Sequence, residues 1–136
     1  MQFKFSNASK HPYEIILVDD DELQFMLVKN VIKKIDPLVK ITFFSNPENA
    51  LSHLKSNEIQ KQPCLILLDL NMPEMTGWEF LDIYSNFSNK SKIVIISSSI
   101  DAGDIQKANK HPDVLEFCSK PVFFDKMNDI LKCYTC

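Results

Sequence analysis

The sequence has no long apolar run. Its uninterrupted apolar stretches are about four or five residues long, whereas a membrane-spanning helix needs roughly 20, so we expect no membrane partner. It also has no excess of positive charge, because 15 Lys and Arg face 18 Asp and Glu, a net charge of −3. This balance argues against a nucleic-acid partner. Met1–Asn7 lacks the apolar core of a secretory signal. We therefore expect a cytoplasmic protein whose four cysteines are reduced thiols.

The length of 136 residues suits one domain with a hydrophobic core, and no internal repeat or low-complexity tract divides it. Residues 1–12 show no hydrophobic period and contain Pro12, so we predict a loose N-terminal leader there. Residues 13–136 are predicted to form the single domain. The sequence ends about where its last predicted helix ends, so we expect a stand-alone domain without an output module.

Short β-rich runs alternate with segments of helical period along the whole domain. The predicted strands cover residues 14–18, 39–44, 65–68, 93–96 and 114–117, and the predicted helices cover about 23–35, 46–57, 77–87, 101–110 and 123–132. Strict alternation predicts right-handed crossovers and an α/β fold, in which helices cover both faces of a five-stranded parallel sheet.

The central predicted strand ends in an acidic residue. Leu65–Leu68 is wholly apolar, Asp69 follows it directly, and Pro73 stops the element. A run this short and apolar is typical of a strand buried on both faces. Asp69 is therefore placed at the carboxyl end of a central strand, where open α/β sheets hold their sites.

Polar residues follow three other predicted strands, and the carboxyl ends of parallel strands share one edge of the sheet. Together the strand ends contribute Asp19, Asp20, Asp69, Ser97 and Lys120. Three carboxylates in one crevice favour a hard cation such as Mg²⁺, which takes one or two carboxylates along with waters and phosphate oxygens. A hydroxyl and a lysine complete a cradle for a transferred phosphoryl group, and an aspartate can accept such a group as an acyl phosphate.

With these residues in this order, the sequence resembles the response-regulator receiver domain of two-component signalling over about residues 13–133. The resemblance rests on Asp19-Asp20, on Asp69 with Asn71-Met72-Pro73 and Gly77, on Ser97, and on Lys120-Pro121. It implies a flavodoxin-like, doubly wound sheet of strand order 2-1-3-4-5. It also implies a protein that catalyses only its own phosphorylation and dephosphorylation.

The resemblance assigns roles around the acidic pocket. Asp69 would be the phosphoacceptor and, with Asp20, a carboxylate ligand of Mg²⁺, while Asp19 would act mainly through a metal-bound water. Asn71 would offer its backbone carbonyl to the metal. Lys120 would pair with Asp69 and later with a phosphoryl oxygen, and its bond to Pro121 would be cis.

Two further residues are implied as a conformational switch. Ser97 would hydrogen-bond the phosphoryl group, and Phe117 would turn its ring inward as Ser97 moves. Phenylalanine replaces the family's more usual tyrosine at 117, so a switch here would rely on packing. The readout would lie on the face formed by the fourth helix, fifth strand and fifth helix.

The implied phosphodonor is a sensor histidine kinase or a histidine phosphotransfer protein. The signal would leave through an unidentified protein target or an onward phosphorelay, from a monomer or weak dimer. The first predicted helix carries two apolar stripes, one of Leu23, Met26, Leu27, Val31 and Ile35, and a second of Phe25, Val28 and Ile32. One stripe suffices for a core, so we expect Phe25 and Val28 either to dock the phosphodonor or to extend a broad buried face.

Other readings remain open. A haloacid-dehalogenase-type phosphohydrolase uses similar residues, but its nucleophile precedes the acidic pair, and Asn71 stands where a second acid is usual. A degenerate receiver would be a phosphorylation-independent binding module. Cys133 and Cys136 form a C-x-x-C motif at a helix C-terminus, where the helix dipole does not lower a thiol pKa, so we predict no redox role.

Overall fold

The computed structural model describes residues 13–56, 62–99 and 101–134. The predicted leader, residues 1–12, and Cys136 lie outside the described residues. The elements along the chain are β1 (Glu14–Val18), α1 (Glu22–Ile35), β2 (Lys40–Phe44), α2 (Pro47–Ser56), β3 (Leu65–Leu68), α3 (Gly77–Tyr84), β4 (Lys92–Ser97), α4 (Ala102–Lys110), β5 (Val114–Ser119) and α5 (Phe124–Tyr134).

All five strands are parallel and lie in the order β2-β1-β3-β4-β5. The predicted α/β class, strand order and alternation are therefore confirmed. The central strand β3 is buried along its whole length, as its uninterrupted apolar run predicts, because helices cover both faces of the sheet. No described helix is long and apolar enough to cross a membrane.

The two sheet faces carry separate apolar cores. One core joins alternate residues of the strands to α2, α3 and α4 through side chains such as Leu54, Phe80 and Ala108. The other joins the remaining strand residues to α1 and α5 through side chains such as Ile32 and Met127. This division follows from the period of two along each strand, which sends successive side chains to opposite faces.

Local capping sets where three helices begin. Asp21 accepts hydrogen bonds from the amides of Leu23 and Gln24 and begins α1. Asn46 accepts from the amides of Glu48 and Asn49 and begins α2. A reciprocal capping box of Thr76 and Glu79 begins α3. The helices α1 and α2 begin at Glu22 and Pro47, within one residue of the starts predicted at 23 and 46.

Of the two expectations for Phe25 and Val28, docking of the phosphodonor is wrong and a buried face is observed. Val28 is 2% exposed, Ile32 is fully buried, and Phe25 is half-buried with its ring stacked on Phe43 at 4.5 Å between centroids. Leu23, Met26 and Leu27, on the other apolar stripe, are 66%, 56% and 49% exposed. Phe25 and Val28 therefore cannot form an exposed docking surface.

The cysteines differ from expectation at one position. Cys118 is buried and Cys133 exposed, both with free thiols, whereas Cys64 is disulfide-bonded. The expectation of reduced thiols is therefore wrong for Cys64. Burial raises the pKa of the Cys118 thiol to about 11, which keeps it protonated and unreactive at neutral pH.

Candidate functional site: an acidic pocket with one lysine

The strand ends bring three carboxylates together as predicted. Asp19, Asp20 and Asp69 each offer an oxygen, and these oxygens all lie within 4.8 Å of one another. Asp19 and Asp69 are 1% and 3% exposed, while Asp20 faces solvent. The amide of Asp69 donates a hydrogen bond to the carbonyl of Val18 at 2.9 Å. This bond joins β3 to β1 and so fixes the position of the pocket.

Asp19 is held from two sides. Its Oδ1 accepts a hydrogen bond from the amide of Asp21 at 2.9 Å, so the turn that caps α1 also orients this carboxylate. Its Oδ2 lies 2.8 Å from Nζ of Lys120. The lysine lies farther from Asp69, at 3.6 Å from Oδ1. The sequence predicted an Asp69–Lys120 pair, and the structure places the shorter contact at Asp19.

Burial and charge perturb the ionisation of this group. Burial, and after it the charge of Asp19, raises the pKa of Asp69 to about 6, although Lys120 and a hydrogen bond from the backbone of Asn71 oppose this. Burial lowers the pKa of Lys120, but its hydrogen bond and ion pair with Asp19 and the charge of Asp69 outweigh this and raise the pKa above its ordinary value. Lys120 thus stays protonated at neutral pH beside two buried acids.

The pocket has unmet demand for positive charge. Asp19 Oδ2 and Asp69 Oδ1 are buried, and among the described residues neither accepts a hydrogen bond from a backbone amide or a neutral side chain. Their described partner is the ammonium group of Lys120, at 2.8 Å and 3.6 Å. One ammonium group compensates two buried carboxylate oxygens poorly, and a divalent cation would neutralise both. Two buried acids and an exposed third fit the oxygen donor set that Mg²⁺ takes.

Ser97 and Phe117 lie beside the pocket on the neighbouring strands. Ser97 is fully buried at the end of β4, and its carbonyl accepts from the amide of Lys120 at 2.9 Å. Its hydroxyl oxygen accepts from the amide of Ser99 at 3.0 Å, and no hydrogen bond joins it to Asp69 among the described residues. Phe117 pairs with Ile95 in the sheet and is half-buried against the core of α2, α3 and α4.

On the loop after Asp69, the side chain of Asn71 is exposed, and its backbone donates a hydrogen bond to the carboxylate of Asp69. The bond between Lys120 and Pro121 is cis, as expected.

Gly77 shapes the loop that follows Asp69. A Cβ atom at this position would lie 2.7 Å from the carbonyl oxygen of Asp69 and 2.8 Å from Cα of Leu70. Real Cβ atoms do not approach a backbone this closely. The helix α3 therefore packs directly on the Asp69 loop. The amide of Gly77 donates a hydrogen bond to the carbonyl of Leu70 at 2.8 Å.

We predict that Gly77→Ala destabilises the fold by about 1–3 kcal/mol, the usual cost of forcing an extra methyl group into a packed site. Thermal unfolding checks this. Gly103→Ala is the control, because there the nearest atom is Oδ1 of the exposed Asp101 side chain at 3.0 Å, which can move aside. The control should change stability by less than about 0.5 kcal/mol, and an equal loss in both variants would contradict the packing argument.

Sequence reasoning missed a polar cluster at the start of α4. Asp104 accepts from the indole nitrogen of Trp78 at 3.2 Å through Oδ1, and from the hydroxyl of Ser99 at 2.8 Å through Oδ2. Lys107 lies over the same indole ring, 4.6 Å from its centroid. Trp78 and Asp104 are 26 residues apart, and no spacing in the sequence signals a contact between two such side chains.

The profile of the family described as "Response regulator receiver domain" matches residues 15–132. Among curated proteins, the chain is 33% identical over 110 residues to the cyclic di-GMP phosphodiesterase response regulator RpfG of Xanthomonas campestris, covering 79% of this chain and 28% of that protein. It is 34% identical over 103 residues to the nitrate/nitrite response regulator protein NarL of Escherichia coli, covering 76% and 46%. The chain thus spans less than half the length of these two relatives.

Solved structures show the same fold. A two-component response regulator from Cytophaga hutchinsonii superposes with a TM-score of 0.81 at 26% identity, covering 90% of this chain and 97% of that one. A response regulator receiver protein from Dyadobacter fermentans superposes with a TM-score of 0.78 at 26% identity, covering 89% and 96%. The family match over residues 15–132 includes every strand end that forms the acidic pocket.

Proposed function

The chain belongs to the response regulator receiver domain family, and we propose that it accepts a phosphoryl group on Asp69 in a Mg²⁺-dependent reaction. Receiver domains generally serve phosphorylation-based signalling and bind Mg²⁺ at an acidic pocket. The observation that carries the proposal for this chain is the pair of buried oxygens on Asp19 and Asp69. Their one described partner is the ammonium group of Lys120, at 2.8 Å from Asp19 and 3.6 Å from Asp69. A metal ion and a phosphoryl group together would complete this charge pattern.

Asp69 would act as the nucleophile. One carboxylate oxygen attacks the phosphorus of a phosphohistidine, an O–P bond forms, and the P–N bond breaks with its electron pair left on the imidazole, which takes up a proton. Lys120 would neutralise a phosphoryl oxygen, and its ion pair with Asp19 holds it 3.6 Å from Asp69 beforehand. Ser97 would donate its hydroxyl to another phosphoryl oxygen.

Asp19, Asp20 and Asp69, with the backbone carbonyl of Asn71, would hold the metal. When bound, Mg²⁺ supplies charge neutralisation for the phosphoryl oxygens. The acids supply the metal ligands. Asp19 is oriented by the amide of Asp21, and Asp20 is exposed to solvent.

The signal would leave through a protein partner. The phosphoryl group would bias a two-state equilibrium through Ser97 and Phe117, with a readout on the face of α4, β5 and α5. We propose that the domain acts as a cytoplasmic receiver, as a monomer or weak dimer.

The phosphodonor would be a sensor histidine kinase or a histidine phosphotransfer protein. The exposed side of α1 offers a docking surface that replaces the one expected from sequence, consisting of Leu23, Met26 and Leu27. Phe123, 71% exposed, follows Lys120 by three residues at the start of α5, and α1 and α5 share one face of the sheet. Because Leu23 follows Asp20 and Phe123 follows Lys120 by three residues each, we propose that these apolar side chains flank the acidic pocket and receive a phosphodonor helix.

We predict that Leu27→Ala slows phosphotransfer from a phosphohistidine protein by at least about fivefold, because the side chain is exposed and only a partner would cover it. Its rate with a small phosphoryl donor and its melting temperature should not change. Phe25→Ala should instead destabilise the fold by about 1–2 kcal/mol, because it removes the stack on Phe43. Stopped-flow transfer assays and thermal melts measure both. Equal slowing of Leu27→Ala with the small donor would contradict the docking assignment.

Beryllofluoride, a phosphoryl mimic, tests the site itself. With Mg²⁺ it should bind the native protein in a calorimeter and should not bind Asp69→Asn. Absence of both Mg²⁺ and beryllofluoride binding would favour a degenerate receiver. Steady-state release of phosphate from a small phosphomonoester would favour the phosphohydrolase reading.

A further inference from the structure

The loop after Ser97 is tied to the helix after Asp69 by one carboxylate. Asp104 binds Ser99 through one oxygen and the indole of Trp78 through the other. We name this trio of Trp78, Ser99 and Asp104 the indole clasp. Both oxygens of Asp104 are used, so the carboxylate is held in one orientation, and Lys107 over the indole ring adds a cation–π contact.

The clasp reaches the phosphoryl-binding residues at both ends. On one side, Trp78 follows Gly77, which packs against the backbone of Asp69 without room for a Cβ atom. On the other side, Ser99 donates its amide to the hydroxyl of Ser97. The clasp therefore connects the proposed phosphoacceptor loop to the proposed phosphoryl-binding hydroxyl through two hydrogen bonds that no helix or strand supplies.

We propose that Asp104 is a positioning residue that holds Ser97 away from Asp69 until a phosphoryl group is present. In the structure, the hydroxyl of Ser97 is engaged by its own loop and makes no hydrogen bond to Asp69 among the described residues. A contact that stabilises the phosphate-free position of Ser97 weakens the binding of any ligand that requires Ser97 to move. The clasp therefore lowers the affinity for a phosphoryl group by the free energy needed to move the Ser97 loop.

This inference rests on the proposed function. Asp104→Ala should bind beryllofluoride with Mg²⁺ about fivefold more tightly than the native protein, the effect of losing the one hydrogen bond, from Ser99, that ties the Ser97 loop to Asp104 in the unliganded state. Asp104→Asn should bind like the native protein, because its amide can accept from the indole and donate to the oxygen of Ser99. Asp82→Ala, an exposed carboxylate on α3 outside the clasp, is the control and should not change the affinity.

Rescue of native affinity by Asp104→Asn is the readout that a merely structural role would not supply. Trp78 is the only tryptophan in the sequence, so its emission can follow beryllofluoride binding to the native protein. Unchanged or weaker beryllofluoride affinity in Asp104→Ala, or loss of native behaviour in Asp104→Asn, would overturn the clasp. Failure of the native protein to bind beryllofluoride would instead overturn the proposed function.

Discussion

Asp69→Asn should abolish beryllofluoride binding and phosphoryl acceptance while making the metal-free fold more stable at neutral pH. The loss follows because the amide is no nucleophile and a poor ligand for a hard cation. The gain follows because Asp69 is buried beside Asp19, so the fold resists its ionisation. A stabilised but inactive variant would identify Asp69 as a residue kept at a cost to stability.

The pH dependence gives this prediction its sign and size. The pKa of Asp69 rises from its ordinary value of 3.8 to about 6 in the folded protein. Below pH 3.8 the carboxyl group of Asp69 is protonated in both the folded and the unfolded protein, so its pKa shift costs no stability. As the pH rises from 3.8 to about 6, the unfolded chain ionises while the folded chain keeps the proton, so stability falls by about 3 kcal/mol in total and levels off above pH 6.

Thermal or urea unfolding in the presence of a metal chelator measures the difference. The stability advantage of Asp69→Asn should be near its maximum at pH 7 and should shrink as the pH falls from about 6 toward 4. Asp82→Asn removes an exposed carboxylate of α3 and should show no such dependence. If Asp69→Asn were less stable than the native protein at pH 7, ionisation of the buried Asp69 would not be costly to the fold.

Of the substitutions considered, Lys120→Met should cause the largest loss of stability at neutral pH. It removes the ammonium group that lies beside the buried carboxylates of Asp19 and Asp69. Removing one partner of a buried ion pair typically costs about 3–5 kcal/mol, which should lower the melting temperature by roughly 10 °C in a domain of this size. Added Mg²⁺ should restore part of the loss, because it can neutralise the same oxygens.

Lys126→Met is the matched control. Lys126 also pairs with a carboxylate, that of Glu116, but this pair is exposed, and such pairs contribute less than about 1 kcal/mol. The control should therefore melt close to the native protein and should not respond to Mg²⁺ differently from it. If both lysine variants lost equal stability, the buried ion pairs of Lys120 would contribute no more to stability than the exposed pair of Lys126.

The sequence predicts most of the fold because its signals are local. The apolar run of Leu65–Leu68, the caps at Asp21 and Asn46, and the polar residue that follows each of four strands depend on neighbours within a few positions. Parallel topology then brings the strand ends to one edge without further information. Element boundaries moved by one to three residues; for example, β5 extends to Ser119 and α3 ends at Tyr84.

The remaining features depend on packing between distant residues. Both stripes of α1 satisfy a helical period, and which one faces the sheet depends on packing against distant residues, such as the stack of Phe25 on Phe43. The closer approach of Lys120 to Asp19 depends on a carboxylate oriented by the amide of Asp21. The contact of Trp78 with Asp104 depends on how α3 and α4 lie side by side.

Phosphorylation by a small phosphoryl donor such as phosphoramidate tests the central claim most directly. The native protein and Asp69→Asn would each be incubated with the donor, with Mg²⁺ or with a chelator, and examined by intact-mass and peptide-mapping mass spectrometry. The account predicts one phosphoryl group per native chain, on the peptide that contains Asp69, and only when Mg²⁺ is present. No phosphoryl group on the native chain with Mg²⁺, or equal phosphorylation of Asp69→Asn, would contradict it.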